Sequence, residues 1–366
     1  MGELLRRYWH PIGLSADAAV RPRKLRVLGE ELILFRDGAG RPGLLYPRCM
    51  HRGCSLYYGR TEERGIRCCY HGWLFDVEGR CLEQPCEPDG GRALGRFRQP
   101  AYPVRERYGL IFAYLGPPER MPVLPRFDIL ESLAPDESLE ADDSSIGSGG
   151  PQIVDCNWLQ HFENVMDPFH VPILHGAFSG PQFTEKMSIM PKVTFSVTSR
   201  GVQSRQLRRL EDGSLHRRIT EAILPAIRAV PNPRANAEGP CSLLGWVLPL
   251  DDTSFRIYSV GRVTRPGELA AIRSRFNGRL WQELTSEEHR DMPGDYEAQT
   301  GQGPITLHSE EHLVSSDAGI ALLRRLLQEQ IRLVSAGADP LGVSFEAGRD
   351  LVQIDAGTSI DASQPG

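Results

Sequence analysis

The first third of the chain alternates short apolar runs with turn residues. Residues 25–28 and 32–35 form two such runs on either side of a turn at Gly29, and Asp37-Gly38 follows the second run. This alternation is typical of a β-meander. Similar short runs continue further along the chain, at residues 73–76, 79–82 and 110–115, before Pro117-Pro118. We therefore predict an antiparallel β-domain over residues 1–118.

The rest of the chain, residues 119–366, mixes helical and strand patterns and is predicted to form a second domain. An acidic, Ser/Gly-rich stretch at residues 137–150 is interpreted as a connecting segment, and the polar tail 357–366 as frayed. Helical spacing of apolar residues predicts helices over residues 156–166 and 317–334. Strands are predicted at residues 193–197, 219–224, 243–250 and 255–260. The fold class expected for the whole chain is therefore α+β.

Composition restricts the class of protein. Of the 366 residues, 40% are hydrophobic and 24% are charged, as in a globular protein, and no apolar run approaches the roughly 18 residues that span a bilayer. The formal net charge is −5, with no basic cluster for nucleic acid. The first residues lack the apolar core of a signal peptide. We expect a cytoplasmic protein with small-molecule or protein partners.

Two similar cysteine–histidine pairs stand close together in the β-domain. Cys49-x-His51 and Cys68-x-x-His71 are separated by the sixteen residues 52–67. Two thiolates and two imidazoles are the ligands of a Rieske [2Fe–2S] cluster, in which His₂ replaces Cys₂ on one iron. Structural zinc also takes Cys₂His₂, but zinc sites usually keep like ligands together. The extra thiols of Cys54 and Cys69 lie beside the predicted ligands.

A second group of metal-binding residues follows in the predicted helical region. In a regular helix His170 and His175 would point about 140° apart. We expect Pro172 to break the turn between them, so that the second imidazole can approach the first. Two histidines and one carboxylate form the facial triad that binds non-haem Fe(II) and leaves positions for O₂. Asp167 is the nearest carboxylate, but its spacing also suits a hydrogen bond to the other nitrogen of His170.

Together, the two cysteine–histidine pairs and the pattern Glu163-x₃-Asp167-x₂-His170-x₄-His175 resemble the catalytic α subunit of Rieske non-haem iron aromatic-ring-hydroxylating oxygenases. Residues 303–327 are similar to the phthalate-oxygenase and vanillate-demethylase-like branch. The resemblance implies an N-terminal Rieske domain followed by a helix-grip catalytic domain, in which an antiparallel sheet wraps on a helix. Among Asp291, Asp295 and Glu297, it places the third iron ligand at Asp295, eight residues before Gly303.

The family also implies how the metals communicate. Its subunits form head-to-tail trimers, and Asp167 stands at the position of the carboxylate that bridges the cluster of one chain to the mononuclear iron of the next. The chain carries no nucleotide-binding or flavin motif, since residues 147–150 do not follow a strand of a βαβ unit. Electrons would therefore come from a separate NAD(P)H-dependent reductase, with or without a ferredoxin.

The implied reaction uses O₂ to hydroxylate an aromatic or polycyclic small molecule. Oxidative O- or N-demethylation is the second choice and cis-dihydroxylation the third. Arg218, which could pair with an anionic group, and Asn157 are candidate substrate contacts. Two other classes compete: an electron-transfer iron–sulfur protein, which would not need the second metal group, and a zinc peptidase, since residues 308–312 fit the pattern His-x-x-Glu-His.

Overall fold

The computed structural model describes residues 2–17, 21–91, 94–145, 150–180, 182–235, 238–269 and 279–361. The chain divides into two compact units. One unit consists of Arg6–Met121, and the other of Met1–Leu5 together with Pro122–Gly366. In the described part of the chain, no helix combines the length and the apolar character needed to cross a membrane.

The unit Arg6–Met121 is built from antiparallel strands. In the described residues the strands are β1 Trp9–Leu14, β2 Arg23–Val27, β3 Glu30–Arg36, β4 Pro42–Leu45, β5 Arg60–Glu62, β6 Gly65–Arg67, β7 Leu74–Phe75, β8 Cys81–Glu83, β9 Ala101–Tyr102, β10 Val104–Arg107 and β11 Leu110–Tyr114. They form a three-stranded sheet of order β1-β11-β10 and two four-stranded sheets, β2-β3-β4-β9 and β5-β6-β7-β8.

The predicted meander is present as the hairpin of β2 and β3. Its two turn residues, Leu28 and Gly29, have φ angles of 49° and 83°, and such left-handed pairs match the twist of a tight hairpin. From β3, Ile33 and Phe35 enter a buried cluster that also contains Cys49, Cys68 and Trp73. The two loops that carry the cysteine–histidine pairs therefore rest directly on the hydrophobic core.

The unit Pro122–Gly366 is organised around a large antiparallel sheet. The described strands of this unit are β12 Arg126–Phe127, β13 Ser138–Asp142, β14 Lys192–Val197, β15 Gly201–Arg209, β16 Leu215–Ile223, β17 Ile227–Ala229, β18 Gly239–Pro240, β19 Leu243–Pro249, β20 Phe255–Val263, β21 Leu351–Val352 and β22 Gly357–Asp361. In the described residues the large sheet has nine of these strands, ordered β13-β20-β19-β17-β16-β15-β14, with β22 pairing with β16 and β18. The short strands β12 and β21 pair in parallel outside this sheet.

The longest of the described helices packs against this sheet. The longest, α6, runs over Ala318–Ser335 and buries Leu323 and Leu327, in contact with β14 and β15. Gly319 permits the approach, since a Cβ there would come within 2.4 Å of the Phe195 ring on β14. The other α-helices that lie within the described residues are α1 Gly2–Arg6, α2 Asp128–Glu131, α3 Trp158–Asn164, α4 Ser286–Asp291 and α5 Asp295–Thr300. A sheet that packs on α6 agrees with the predicted helix-grip arrangement.

Two segments differ from the sequence-based expectations. The stretch 137–150, expected to be a connection, contains strand β13, which pairs with β20 at the edge of the sheet. The tail expected to be frayed contributes β22, and its last residues, 362–366, lie outside the described residues. Each strand has a single large apolar residue, Leu139 in β13 and Ile360 in β22, so neither produces the apolar signal on which strand prediction depends.

Candidate iron centres and substrate cavity

The two cysteine–histidine loops have the same backbone geometry. In the first loop the Cys49 N–H donates to the carbonyl of Cys54 and the Gly53 N–H to the carbonyl of Cys49, both at 2.8 Å. In the second loop the Cys68 N–H donates to Trp73, 2.9 Å, and the Gly72 N–H to Cys68, 3.1 Å. Gly53 and Gly72 share a φ of 73°. The repeated sequence motif therefore folds twice into one turn.

The four predicted ligands of the cluster converge. Cys49 and Cys68 are buried, whereas His51 and His71 are only partly buried. The imidazole centroids lie 4.6 Å apart, and Trp73 stacks on His51 at 4.6 Å. Burial raises the pKa of Cys49 to about 12, and the neighbouring Cys68 thiol adds to this shift. Two buried sulfurs and two partly buried imidazoles fit the ligand set of a Rieske cluster. In such a cluster both cysteines bind iron as thiolates.

The extra thiols form a separate pair. Cys54 Sγ and Cys69 Sγ are 3.6 Å apart, and Cys69 is exposed. Burial and the thiols of Cys69 and Cys68 raise the pKa of Cys54 to about 11. This arrangement agrees with Cys49 and Cys68 as the ligands, because those two cysteines lie in the buried cluster beneath the loops.

His170 and His175 are brought together by an unusual helix. Residues Val171–Phe178 form a π-helix, with His170 at its N-cap and Pro172 in its first turn. The expectation that Pro172 breaks the turn was wrong: proline is tolerated where a helix begins, because its missing N–H has no partner there. A π-helix forms hydrogen bonds between backbone groups five residues apart. Two side chains five residues apart therefore lie on the same face of the helix, one turn from each other. The two imidazole centroids are 5.4 Å apart.

Asp295 completes this group from a distant part of the chain. It is the first residue of α5, and its Oδ1 lies 3.2 Å from His175 Nε2 and 3.5 Å from His170 Nε2. One donor atom from each of the three side chains falls within 4.8 Å of the others. Burial would raise the pKa of Asp295, but His175 and His170 outweigh it, and the pKa falls well below its ordinary value.

The other two carboxylates considered for this position are engaged elsewhere. Glu297 accepts hydrogen bonds from the Gly294 N–H, 2.8 Å, and from Trp281 Nε1, 3.0 Å. Asp291 pairs with Arg290 and is largely exposed. Of these three acids, Asp295 is therefore the one that the structure places beside both histidines.

Two amide side chains that the sequence did not reveal hold the ligands in place. Gln182 Oε1 accepts from His175 Nδ1 at 3.0 Å, which leaves Nε2 to face Asp295. Asn164 Nδ2 lies 3.3 Å from Asp295 Oδ1 and 3.4 Å from His170 Nε2, so this amide meets the lone pairs that a metal ion would use. No sequence pattern marks an amide side chain as a partner of a metal ligand. Only the closeness of Asn164 and Gln182 to the two histidines in the sequence could have indicated this role.

Asp167 contacts the outer side of His170 and does not point to the place where His170, His175 and Asp295 converge. Its Oδ1 accepts from the backbone N–H of Phe169, 3.0 Å, and of His170, 3.3 Å, and its Oδ2 lies 3.4 Å from His170 Nδ1. Burial opposes ionisation of Asp167, but His170 and these N–H groups outweigh burial, and the pKa is lowered. This is the position of a carboxylate that orients a metal-binding histidine through its second nitrogen.

A cavity of about 290 Å³ opens beside the triad. Both histidines and Asp295 line it, together with the predicted substrate contact Arg218. Asn157 is not among the described lining residues. Its side chain caps α3 by accepting from the Leu159 N–H, 3.0 Å, and donates to the Asp252 carbonyl, 2.7 Å. The structure therefore gives Asn157 a structural role in place of the predicted substrate contact.

The peptidase-like motif does not form a metal-binding helical face. Residues His308–Glu310 make only a single 3₁₀ turn. Glu311 and Glu163 do lie near His308, but Arg324 binds both carboxylates, with Nη2 at 2.7 Å from Glu163 and 2.9 Å from Glu311. A guanidinium already occupies the position that a cation would need, which argues against zinc at this place.

Comparison with known proteins agrees with these features. Residues 8–103 match the Rieske [2Fe-2S] domain family. The chain is 54% identical over 360 residues to the phenoxybenzoate dioxygenase subunit alpha of Ectopseudomonas oleovorans, covering 97% of this chain and 88% of the relative. It is 36% identical to the oxygenase subunit of the tert-butanol monooxygenase / tert-amyl alcohol desaturase of Aquincola tertiaricarbonis, covering 95% and 77%.

The fold is also found among solved structures. The NdmA QL mutant of Pseudomonas putida CBB5, solved with caffeine, superposes with a TM-score of 0.67 at 18% identity, covering 95% of this chain and 99% of that one. The chain belongs to the family of Rieske non-haem iron oxygenase alpha subunits. It is therefore an oxidoreductase with a Rieske [2Fe–2S] domain, and these relatives are named as subunits of a dioxygenase and of a monooxygenase. The predicted family and α+β fold are confirmed.

Proposed function

We propose that this chain is a terminal oxygenase that uses O₂ and electrons from a separate NAD(P)H-dependent reductase to hydroxylate an aromatic small molecule. The observation that carries the proposal is the convergence of His170, His175 and Asp295 within 4.8 Å of one another at the wall of a 290 Å³ cavity. An electron carrier would have no use for this second group of ligands.

In this proposal the cluster is held by Cys49, His51, Cys68 and His71 within residues 1–118. Mononuclear iron is held within residues 119–366, by the triad named above. The donor set supports iron, because two imidazoles and one carboxylate are the usual ligands of non-haem Fe(II) oxygenases. Bound there, Fe(II) would supply reductive activation of O₂.

The protein's own side chains prepare this site. Gln182 Oε1 accepts a hydrogen bond from His175 Nδ1 at 3.0 Å. This bond keeps the proton of the imidazole on Nδ1, so that the lone pair of Nε2 points into the triad. Asp167 lies against Nδ1 of His170, 3.4 Å away, and favours the same tautomer. The neighbouring imidazoles of His175 and His170 outweigh the burial of Asp295 and keep its carboxylate ionised, since its pKa lies well below the ordinary value.

Asp167 is also the residue we propose for transfer of electrons between subunits. The family resemblance places it between the cluster of one chain and the iron of the next in a homotrimer. Its contact with His170, a proposed iron ligand, supports the second half of that bridge. The trimer, the cytoplasmic location and any ferredoxin remain part of the proposal.

The reaction is proposed to be hydroxylation of the ring or of a C–H bond. Oxidative O- or N-demethylation follows from the same step when the hydroxylated carbon is bound to oxygen or nitrogen. Cis-dihydroxylation gains support from the relative that is 54% identical, since it is named a phenoxybenzoate dioxygenase. That name also makes the phenoxybenzoates a natural first panel of substrates.

The test is turnover with ¹⁸O₂. The iron-loaded enzyme would be combined with a reductase of this system and NADH, and products from a panel of phenoxybenzoates, phthalate and methoxyarenes would be analysed by mass spectrometry. We expect labelled oxygen in a product with the parent enzyme and none with Asp295→Ala, whose cluster absorption should persist. NADH-dependent reduction of the cluster without labelled product from any compound would contradict the proposal.

A further inference from the structure

The central sheet contributes a polar patch to the cavity wall. Arg218 and Thr220 are two residues apart on β16, so their side chains lie on one face of the strand, and Gln206 on β15 is the direct partner of Arg218 in the register. All three line the cavity. They are also almost fully buried, with Arg218 4% and Thr220 3% exposed.

The positive charge of Arg218 has no acidic partner among the described residues. In the part of the chain that the structure describes, no carboxylate lies within ion-pair distance of Arg218, and its hydrogen bond goes to the Pro231 carbonyl. Its charged neighbour is Arg208, which is fully buried. Burial, with Arg208 next, lowers the pKa of Arg218 to about 10. Burial, followed by the charges of Arg208, Lys186 and Arg218, lowers the pKa of His216 to about 4.

An uncompensated buried charge is unfavourable and calls for a partner of opposite sign. The cost of burying a guanidinium falls when an anion pairs with it, and Arg presents a planar fork that fits a carboxylate in two-point contact. Arg218 faces a cavity rather than a packed core. The missing anion can therefore be a bound molecule.

The neighbours of Arg218 present donors to the same space. Thr220 Oγ1 is buried and makes no hydrogen bond among the described residues. Gln206 Oε1 accepts from Arg208 Nη1 at 3.0 Å, and its amide nitrogen makes only a 3.5 Å contact with Ser204. Because Gln206 Oε1 is already hydrogen-bonded to Arg208, the NH₂ group of Gln206 remains available to donate to a ligand. A hydroxyl, an amide NH₂ and a guanidinium together suit an anion.

We propose that Arg218, with Thr220 and Gln206, binds the carboxylate of an aromatic acid and thereby selects anionic substrates. This inference rests on the proposed function, because it assigns the substrate class of the same cavity. The acid group is held at the sheet, and the remainder of the ring system extends into the part of the cavity that His170, His175 and Asp295 line. Neutral aromatic compounds of the same shape leave the buried guanidinium without its anion and bind weakly.

The test compares an acid with its uncharged isostere. Binding of 3-phenoxybenzoate, 4-phenoxybenzoate and phthalate, and of the corresponding amides, would be measured by calorimetry on the iron-loaded enzyme without O₂ or reductase. We expect at least one acid to bind at least tenfold more tightly than its amide. Arg218→Gln should weaken the acid by roughly 10- to 100-fold and change the amide by less than about threefold.

Further variants separate recognition from folding. Thr220→Val keeps the shape of the side chain and should weaken the acid by roughly 3- to 10-fold with an unchanged melting temperature. Arg209→Gln is the matched control, since Arg209 is an exposed residue of the same strand as Gln206 and donates to the Gly213 carbonyl. It should leave both affinities unchanged.

Two results would overturn the inference: acids and amides binding equally to the parent enzyme, or Arg218→Gln retaining the preference for the acid. Failure of the proposed function would look different. In that case the acid would still bind preferentially and lose this preference with Arg218→Gln, but the loaded enzyme would form no oxygenated product.

Discussion

The hydrogen bond from His175 to Gln182 provides a direct test of the iron site. His175 is 3% exposed, and its Nδ1 donates to Gln182 Oε1 at 3.0 Å. Gln182→Leu keeps a similar side-chain volume but removes the acceptor. The imidazole is then free to rotate or to adopt the other tautomer, in which Nε2 carries the proton and cannot bind a metal.

The expected loss of Fe(II) affinity follows from the buried N–H of His175, which would lose its acceptor. Leaving a buried N–H without its partner costs about 1–3 kcal/mol, and loss of a partner that orients a metal-binding histidine typically costs about 10- to 100-fold in metal affinity. At about 1.4 kcal/mol per tenfold change, the two ranges agree. We therefore expect Gln182→Leu to weaken Fe(II) binding at this site by roughly 10- to 100-fold.

The assay is an anaerobic Fe(II) titration of enzyme from which the mononuclear iron has been removed, with the absorption of the cluster as an internal reference. Gln182→Glu is the matched control, because a carboxylate oxygen can also accept from His175 Nδ1, and it should restore tight binding. If Gln182→Leu binds Fe(II) within about twofold of the parent, the role that we assign to this hydrogen bond is wrong.

Three further predictions concern the cluster, the bridge and the scaffold. Cys49→Ser should abolish the visible absorption of the cluster, whereas Cys54→Ser should retain it; loss in both would mean that the ligands are misassigned. Asp167→Asn should keep both metals but slow oxidation of the reduced cluster in single turnover, and a normal rate would refute the bridge. Arg324→Gln leaves Glu163 buried without its cation and should lower the free energy of unfolding by about 2–4 kcal/mol in urea; no change would show that the ion pair contributes little.

The sequence pointed to the candidate metal ligands more clearly than to the residues that surround them. Cysteine and histidine are rare and their spacing is restrictive, so the two pairs in the β-domain and the two histidines of the second domain stand out without a structure. Asp295 is different: it lies 120 residues from His175, and no local pattern distinguishes it from Asp291. It was identified only through resemblance to a family.

The route by which His170 reaches His175 could not be predicted. Helical periodicity assumes 3.6 residues per turn, and a wider π-helical turn gives no separate signal in the apolar pattern. Pro172 was therefore interpreted as a break, although the structure uses it to start the π-helix. The inferred closeness of the two rings was correct, but the physical reason given for it was not.

Strand β15, Gly201–Arg209, was missed because its buried face is polar. Gln206 and Arg208 point inward where prediction expects apolar side chains. A buried polar strand is costly in a packed core, but here part of that face lines a cavity that can receive a ligand. The departure from the usual pattern therefore marks the residues that we propose to recognise substrate.

The central claim, that one chain holds two separate iron centres, is tested most directly by counting metal and sulfide. Anaerobically reconstituted protein would be analysed for iron, zinc and acid-labile sulfide, for the parent and for His175→Ala. We expect three irons and two sulfides per parent chain, and two irons and two sulfides for the variant. Two irons in both proteins, or zinc without sulfide, would contradict it.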